Sequence, residues 1–293
     1  MKYLSIATFI LILISNTFCS LSAQIPQLTS YEFKYANFDT TAETEKTDSE
    51  QDPYTYKFPK DLLITGANIG LFAYGFSQRE SKEAIPVAEI LELSPEDVNG
   101  FDRSATRHHS QASKKLSDVF LYSTSVMPLI YMAVDNNARK DIGKLFLLFI
   151  EAYSFSGMAY GLTAGLTDRK RPYAYNPEAE MSRRTSRHTR NSFLGGHAAL
   201  SATGAFFFAK AFSDYYPNSP LKPFVWAVGV LAPLGTAYLR YDYGAHFPSD
   251  LIAGYLVGAA SGYLVLHTHK KKEADKGMSF GVGGNGMQLS YRF

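Results

Sequence analysis

Six long apolar segments constrain the fold of this chain more than any other feature of its sequence. Each segment is longer than a typical strand and carries Leu, Ala, Phe and Gly around its whole circumference, which is typical of helices buried in a bundle or a bilayer. The segments span residues 61–76, 118–134, 142–166, 196–212, 223–239 and 250–267. We therefore predict an all-α fold in which six helices form one bundle.

The chain ahead of these segments has two parts. Residues 1–23 begin with Lys2, continue through an apolar run and end in small residues, a pattern that predicts a signal peptide for export. Cys19, the only cysteine, lies in this stretch, so the chain after it has no thiol chemistry, and a lipid anchor at Cys19 is the less favoured alternative. Residues 24–59 are polar and mildly acidic, which predicts a flexible lead-in.

The helical domain is expected to cover residues 60–269, and a C-terminal tail covers residues 270–293. In the tail, apolar and small residues alternate around Asn285-Gly286, a turn signal that predicts a short β-hairpin. The formal net charge is only +2, so the charge balance gives no indication of a nucleic-acid partner.

Residues 167–195, between the third and fourth apolar segments, are rich in arginine and lysine. Such a loop fits a cytoplasmic positive-inside loop, a solvated surface loop or a funnel for a phosphorylated substrate. It ends with Gly195 and Gly196 directly before an apolar helix, where backbone N–H groups can converge on an anion. His197 follows at the same helix start, so a histidine can meet that anion.

Residues 239–250, with the sequence LRYDYGAHFPSD, combine an arginine, a histidine and an aspartate at the start of the last apolar segment. If the chain after Pro248 is helical, His246 and Asp250 lie one turn apart, so the carboxylate can accept from one ring nitrogen and leave the other free. This is how a histidine nucleophile or base is oriented. The alternative is a buried histidine at a helix start with an aspartate that serves the helix dipole.

Taken together, three motifs resemble the type 2 phosphatidic acid phosphatase and vanadium haloperoxidase superfamily. They are Arg171-Pro172, Gly196-His197 and the set Arg240, His246 and Asp250. The resemblance covers about residues 60 to 267 and implies that family's six-helix bundle. It also implies a phosphatase that hydrolyses a phosphomonoester or pyrophosphate, with a lipid phosphate as the favoured substrate.

The chain departs from the family pattern at four positions. The family lysine falls at Ala164, the family Pro-Ser pair at Leu194 and Gly195, and the family serine at Leu239. A cation and a hydroxyl donor are therefore replaced, and we expect Arg169 or Lys170 to supply the charge. The Gly195 amide is expected to remain as a donor. The alternative is a family member that is weakened or silent and binds a phosphorylated ligand without hydrolysing it.

The family mechanism implies a role for each motif residue. Arg171 and Arg240 would bind the phosphate oxygens with the amides of Gly195 and Gly196. His246 would form a phosphohistidine while Asp250 holds its other ring nitrogen, and His197 would protonate the leaving oxygen. No metal or other cofactor is required by this scheme. A vanadate-dependent haloperoxidase would use the same anion site and is a second alternative.

The resemblance and the predicted export signal also imply partners and a location. The expected partner is a phosphorylated lipid or a small phosphorylated molecule, with membrane association and without nucleic acid. The expected location is the bacterial cell envelope, with the site facing the periplasm in a membrane-associated or integral membrane protein.

Overall fold

The computed structural model describes residues 52–271, together with the backbone of residues 278–283 and 286–291. The helices of the first range are α1 (Lys60–Glu80), α2 (Val87–Glu92), α3 (Gln111–Val134), α4 (Asn136–Lys140), α5 (Ile142–Leu166), α6 (Met181–Arg184), α7 (Gly196–Tyr215), α8 (Lys222–Asp242) and α9 (Pro248–His269). Short 3₁₀-helices cover Pro95–Asp97, Arg103–Arg107, Pro172–Ala174 and Arg187–Arg190. Each apolar segment lies in one of the six long helices, so the predicted all-α bundle is confirmed.

Helix α7 lies at the centre of the bundle. It contacts α3, α5, α8 and α9, while α1 packs mainly on α5. The small residues Ala198, Ala199, Ala202 and Ala205 of α7 are fully buried. An ideal Cβ on Gly258 of α9 would lie 1.9 Å from the carbonyl oxygen of Ala199, so this close approach requires glycine. The close packing fixes the starts of α7 and α9, which carry two of the three motifs, next to each other.

A tight turn joins α8 to α9. Gly244 in this turn has a φ of +68°, a left-handed conformation that glycine adopts without strain. A Cβ on Gly244 would also lie only 2.0 Å from the carbonyl oxygen of His108. The turn reverses the chain so that His246 lies between the end of α8 and the start of α9.

The polar chain between α1 and α3 holds the start of α9 in place. Asp102 lies in this chain and is 2% exposed. Its carboxylate accepts from the backbone N–H of Ser249 at 3.0 Å and from the Ser249 hydroxyl at 2.7 Å. A carboxylate at a helix N-terminus satisfies amides that have no partner within the helix and interacts favourably with the helix dipole.

The prediction of a flexible lead-in is wrong for residues 52–59. The side chain of Tyr54 is fully buried, and its hydroxyl donates to Asp214 Oδ2 at 2.8 Å. The backbone of Tyr54 forms a bridge with Lys270 just after α9. The buried ring of Tyr54 and the partly buried ring of Tyr56 therefore pack this stretch against the core. Residues 1–51, with the predicted signal peptide and Cys19, lie outside the described residues.

Two strands, β1 (Met278–Gly283) and β2 (Gly286–Tyr291), follow the helices and pair in antiparallel orientation. Residues 284–285, between the two strands in sequence, lie outside the described residues. The predicted C-terminal hairpin and its packing against the helices therefore stay predictions.

Three helices, α3, α5 and α9, are long and apolar enough to cross a membrane. Large apolar side chains are also exposed on the outer surface of the bundle, among them Leu63, Tyr122, Phe224, Leu231, Tyr238 and Leu256. A surface this apolar is unusual for a soluble monomer and marks a contact with a membrane or another protein. The length of the helices together with this surface supports association with a membrane.

Candidate active site

His246 lies in the turn between α8 and α9, and its side chain is almost fully buried. Its ring atom Nδ1 lies 2.6 Å from the carbonyl oxygen of Ser192. A carbonyl oxygen only accepts, so Nδ1 carries the proton and Nε2 keeps a free lone pair. Burial holds the pKa of His246 well below its ordinary value, and the charges of Arg171 and Arg240 lower it further. His246 is therefore a neutral imidazole with one nitrogen available as a nucleophile.

His197 is the second residue of α7 and is partly buried. Its Nε2 donates to Asp118 Oδ1 of α3 at 3.0 Å. Burial and the charge of Arg240 lower the pKa of His197 to about 4, while the hydrogen bond to Asp118 acts in the opposite direction. The same two arginines lower the pKa of both histidines, so His197 and His246 share one strongly positive environment.

Arg171 and Arg240 supply that positive charge. Arg171 lies just before the 3₁₀-helix Pro172–Ala174, and Arg240 lies in the last turn of α8. Among the described residues, the buried Nε atoms of both guanidinium groups have no hydrogen-bond partner. Buried donors are normally satisfied, and leaving one without an acceptor costs about 1–3 kcal/mol. Each of these guanidinium groups therefore keeps one donor for which the described residues provide no acceptor.

The predicted contact between Asp250 and the ring of His246 is not present. Asp250 is fully buried, and its Oδ2 accepts from the Ser192 hydroxyl at 2.6 Å and from the Phe247 backbone N–H at 3.0 Å. It is the carbonyl of Ser192 that accepts from His246 Nδ1. Asp250 therefore acts on His246 through Ser192, because the turn places a backbone carbonyl nearer to the ring than the carboxylate.

The expectation that Arg169 and Lys170 supply the missing charge is also not supported. Arg169 bonds to Asp250 Oδ1 and to Asp102 Oδ2, and it also donates to the Ser249 hydroxyl at 3.0 Å. Lys170 Nζ lies 2.8 Å from Glu89 Oε1. Both charges are balanced by carboxylates, and Arg169 joins the loop before α7 to the start of α9.

The two glycines before His197 have different roles. The Gly195 amide donates to the carbonyl oxygen of Asp250 at 3.0 Å, so it is not the anion donor that the sequence predicted. Among the described residues, the Gly196 amide has no acceptor and remains available at the N-terminus of α7. A Cβ on Gly195 would lie 2.9 Å from the Asp250 carbonyl oxygen, so a side chain at this position would crowd the backbone of α9.

Ala164, at the position of the family lysine, is fully buried near the end of α5. It lies one turn after Tyr160, whose ring would be 2.8 Å from a Cβ on Gly196, so both residues are on the face of α5 that meets the start of α7. The face that would carry a lysine side chain towards the site therefore carries only a methyl group.

Arg183 brings a third guanidinium group to this region, and the sequence did not single it out. Its Cζ lies 3.9 Å from the ring centroid of Tyr173 and 4.0 Å from that of Tyr243. Its charge is among those that lower the pKa of Arg240, although burial and Arg171 lower that pKa more. The only signal in the sequence was the high density of arginine in residues 167–195, which does not distinguish one arginine from another.

Comparison with known families gives a match over less than half of the chain. Residues 145–274 match the PAP2 superfamily, a range that contains the three arginines, both histidines and Asp250. No curated protein matches the chain. Among solved structures, it is similar to the first transmembrane PAP2 type phosphatidylglycerolphosphate phosphatase from Bacillus subtilis. The two share 17% identity over 71% of this chain and 92% of that chain, with a TM-score of 0.38.

Proposed function

We propose, on the premise that residues 145–274 belong to the PAP2 superfamily, that this protein is a phosphatase acting on a phosphorylated lipid. The observation that carries the proposal is the pair of buried Nε atoms on Arg171 and Arg240 that have no acceptor among the described residues. Guanidinium groups match the geometry of phosphate oxygens and bind them with charge-assisted hydrogen bonds. A phosphate group bound by both arginines would satisfy these donors.

In the proposed first step, His246 Nε2 attacks phosphorus and an N–P bond forms while the bond to the leaving oxygen breaks. The bound phosphate dianion raises the pKa of His197, so His197 takes up a proton in the complex and transfers it to that oxygen, and the product leaves as an alcohol. The Nδ1–H of His246 remains bonded to the Ser192 carbonyl, which steadies the ring as it gains positive charge. The result is a phosphohistidine and a released alcohol.

In the second step, a water molecule gives a proton to His197 and attacks phosphorus. The N–P bond breaks, its electrons return to His246 Nε2, and inorganic phosphate leaves. Arg171 and Arg240 stabilise the charge on the phosphate oxygens in both steps, with the Gly196 amide as a further donor. Asp250 is a positioning residue because it reaches His246 only through Ser192.

Arg183 takes the place of the missing lysine in this proposal. The rings of Tyr173 and Tyr243 lie on its guanidinium group, and its side chain also donates to the Tyr243 carbonyl at 3.4 Å. Stacking between aromatic rings restricts the rotation of a long side chain and stabilises its charge. The site thereby holds three cations although position 164 is alanine.

The apolar outer surface of the bundle is the reason for proposing a lipid substrate. Apolar side chains cover the outer faces of α1, α3, α8 and α9, and three helices are long enough to cross a membrane. A lipid phosphate held in such a membrane would reach the starts of α7 and α9 from the bilayer surface. Export and a periplasmic site remain part of this proposal.

The proposal is tested by phosphate release in a chelator, with dispersed phosphatidic acid and with p-nitrophenyl phosphate as substrates. The wild-type protein should release phosphate from both, and His246→Ala should reduce the rate by at least about a thousandfold. His267→Ala is the matched control, since this exposed histidine lies at the opposite end of α9. A His246→Ala variant that keeps the wild-type rate would overturn the assignment of the nucleophile.

A further inference from the structure

A second cluster of ionisable side chains lies at the end of the bundle opposite the candidate active site. It consists of Asp61 in the first turn of α1, Glu151 in α5 and His269 at the end of α9. Asp250 and His269 are about 28 Å apart along α9, at a rise of about 1.5 Å per residue. The cluster therefore takes no part in the phosphatase site.

The three side chains present one ligand atom each to a common point. Asp61 Oδ2 lies 3.1 Å from His269 Nε2, Glu151 Oε2 lies 3.7 Å from the same nitrogen, and all three atoms lie within 4.8 Å of one another. Ligands of a tetrahedral Zn²⁺ ion at about 2.0–2.2 Å are roughly 3.3–3.5 Å apart. The two distances to His269 Nε2, 3.1 Å and 3.7 Å, lie on either side of this range.

The orientation of His269 is that of a metal ligand. Its Nδ1 donates to the carbonyl oxygen of Val265 at 2.7 Å, which leaves Nε2 directed at the two carboxylates. A histidine that binds a metal usually donates its other ring N–H to a carbonyl or carboxylate, which fixes both the tautomer and the ring plane. The ring of Tyr56 stacks on that of His269 at a centroid distance of 6.3 Å.

Glu151 contributes a buried carboxylate oxygen that the described residues leave without a partner. The side chain of Glu151 is 4% exposed, and its Oε2 has no hydrogen-bond partner among the described residues. The nearest nitrogen atom is His269 Nε2, and 3.7 Å is too long for a hydrogen bond. A buried carboxylate oxygen is costly unless a donor or a cation neutralises it.

We propose that Asp61, Glu151 and His269 bind one divalent transition-metal ion, with Zn²⁺ as the best fit. Two carboxylate oxygens and one imidazole nitrogen match the ligand set of zinc, and a water molecule completes the tetrahedron. The ion joins the start of α1 to the end of α9, and through Glu151 it joins both to α5. Its role is structural, because the cluster lies far from the histidines of the candidate active site.

The test measures bound metal in the purified full chain after removal of metal with a chelator. On dialysis against Zn²⁺, the wild-type protein should retain about one ion per chain and melt at a higher temperature than the metal-free protein. Co²⁺ in place of Zn²⁺ should give the intense visible absorption of a tetrahedral site.

Three variants decide whether the ion lies in this cluster. Glu151→Gln and His269→Asn should each weaken zinc binding by about tenfold or more, and His267→Asn two residues earlier in α9 should leave it unchanged. His246→Ala should bind zinc like the wild-type protein, so this test is independent of the phosphatase proposal. The proposal is overturned if the wild-type chain retains no zinc, or if both cluster variants retain it with unchanged affinity.

Discussion

His197 of α7 and Asp118 of α3 share a hydrogen bond of 3.0 Å, and the same carboxylate oxygen lies 3.7 Å from Arg240 Nη1. Asp118 thus contacts both the proposed proton donor and one of the proposed phosphate ligands. Its negative charge favours the protonated form of His197, and it also repels a phosphate that approaches Arg240. These two effects act in opposite directions on turnover and on anion binding.

The variant Asp118→Asn is therefore expected to separate the two effects. Sulfate should bind several-fold more tightly because the repulsion is lost, while turnover of an alkyl phosphate should fall by about tenfold because His197 is protonated less often. Turnover of p-nitrophenyl phosphate should change little, since its leaving group needs no proton. Turnover rates with the alkyl phosphate and with p-nitrophenyl phosphate, together with the inhibition constant of sulfate, measure these three effects. Asp168→Asn, at an exposed carboxylate paired with Arg190, is the control. An equal loss with both substrates would contradict a role in proton transfer.

The pKa of about 4 for His197 predicts that anion binding depends on pH. A bound dianion raises the pKa of a neighbouring imidazole, so the complex holds more protons than the free protein and affinity increases as pH falls. Sulfate remains a dianion over this range, so the slope reports on the protein alone. Between about pH 7.5 and about pH 5, the stabilisation by sulfate in a thermal melt should increase.

The variant His197→Gln is the check on this pH dependence. It removes the imidazole that is expected to take up the proton, so the slope should be clearly smaller than in the wild-type protein. An unchanged slope would assign the proton uptake to another group, with His246 as the nearest candidate.

The sequence predicted the motif residues as a group because their intervals place them at the ends of helices. In the structure Arg171, His197, Arg240 and His246 share one positively charged region, and their roles in a reaction stay a prediction. The six helices were equally predictable, since apolar residues all around a segment admit few other structures.

The partners of these residues could not be predicted in the same way. Ser192, Asp118 and Arg183 reach the site through tertiary contacts that no interval in the sequence encodes. Arg169 and Lys170 were expected to contact the phosphate, but each forms an ion pair with a carboxylate of the protein. The sequence does not show which carboxylates lie nearest to them. Charge in a loop thus predicted the character of the site but not which side chains contact the anion.

Gly195 gives a prediction for the position at which the family has serine. A Cβ at this position would lie 2.9 Å from the Asp250 carbonyl oxygen and 3.1 Å from the Cδ2 atom of Leu251. The backbone of α9 cannot move away without displacing Asp250, so Gly195→Ser should destabilise the protein by roughly 1–3 kcal/mol. Phosphatase activity should fall together with stability, although the substitution restores the family residue.

Gly66→Ser is the control, since a Cβ there meets nothing within 4 Å. Melting temperatures in detergent distinguish the two variants, and a Gly195→Ser protein as stable as the wild type would contradict the packing argument.

Arg183 gives the prediction that tests how the site functions without the family lysine. If its guanidinium group is the third phosphate ligand, Arg183→Gln should weaken sulfate binding and raise KM by about tenfold. Arg183→Lys should recover only part of this loss, because an ammonium group lacks the planar fork that lies against Tyr173 and Tyr243.

The matched control is Arg187→Gln, which removes an exposed arginine paired with Glu80 from the same loop. Equal effects of the substitutions at 183 and 187 would mean that Arg183 contributes only to the general positive charge of the loop. A double variant, Arg183→Gln with Ala164→Lys, adds a decisive comparison, since recovery of sulfate affinity by the new lysine would show that the two positions serve the same anion.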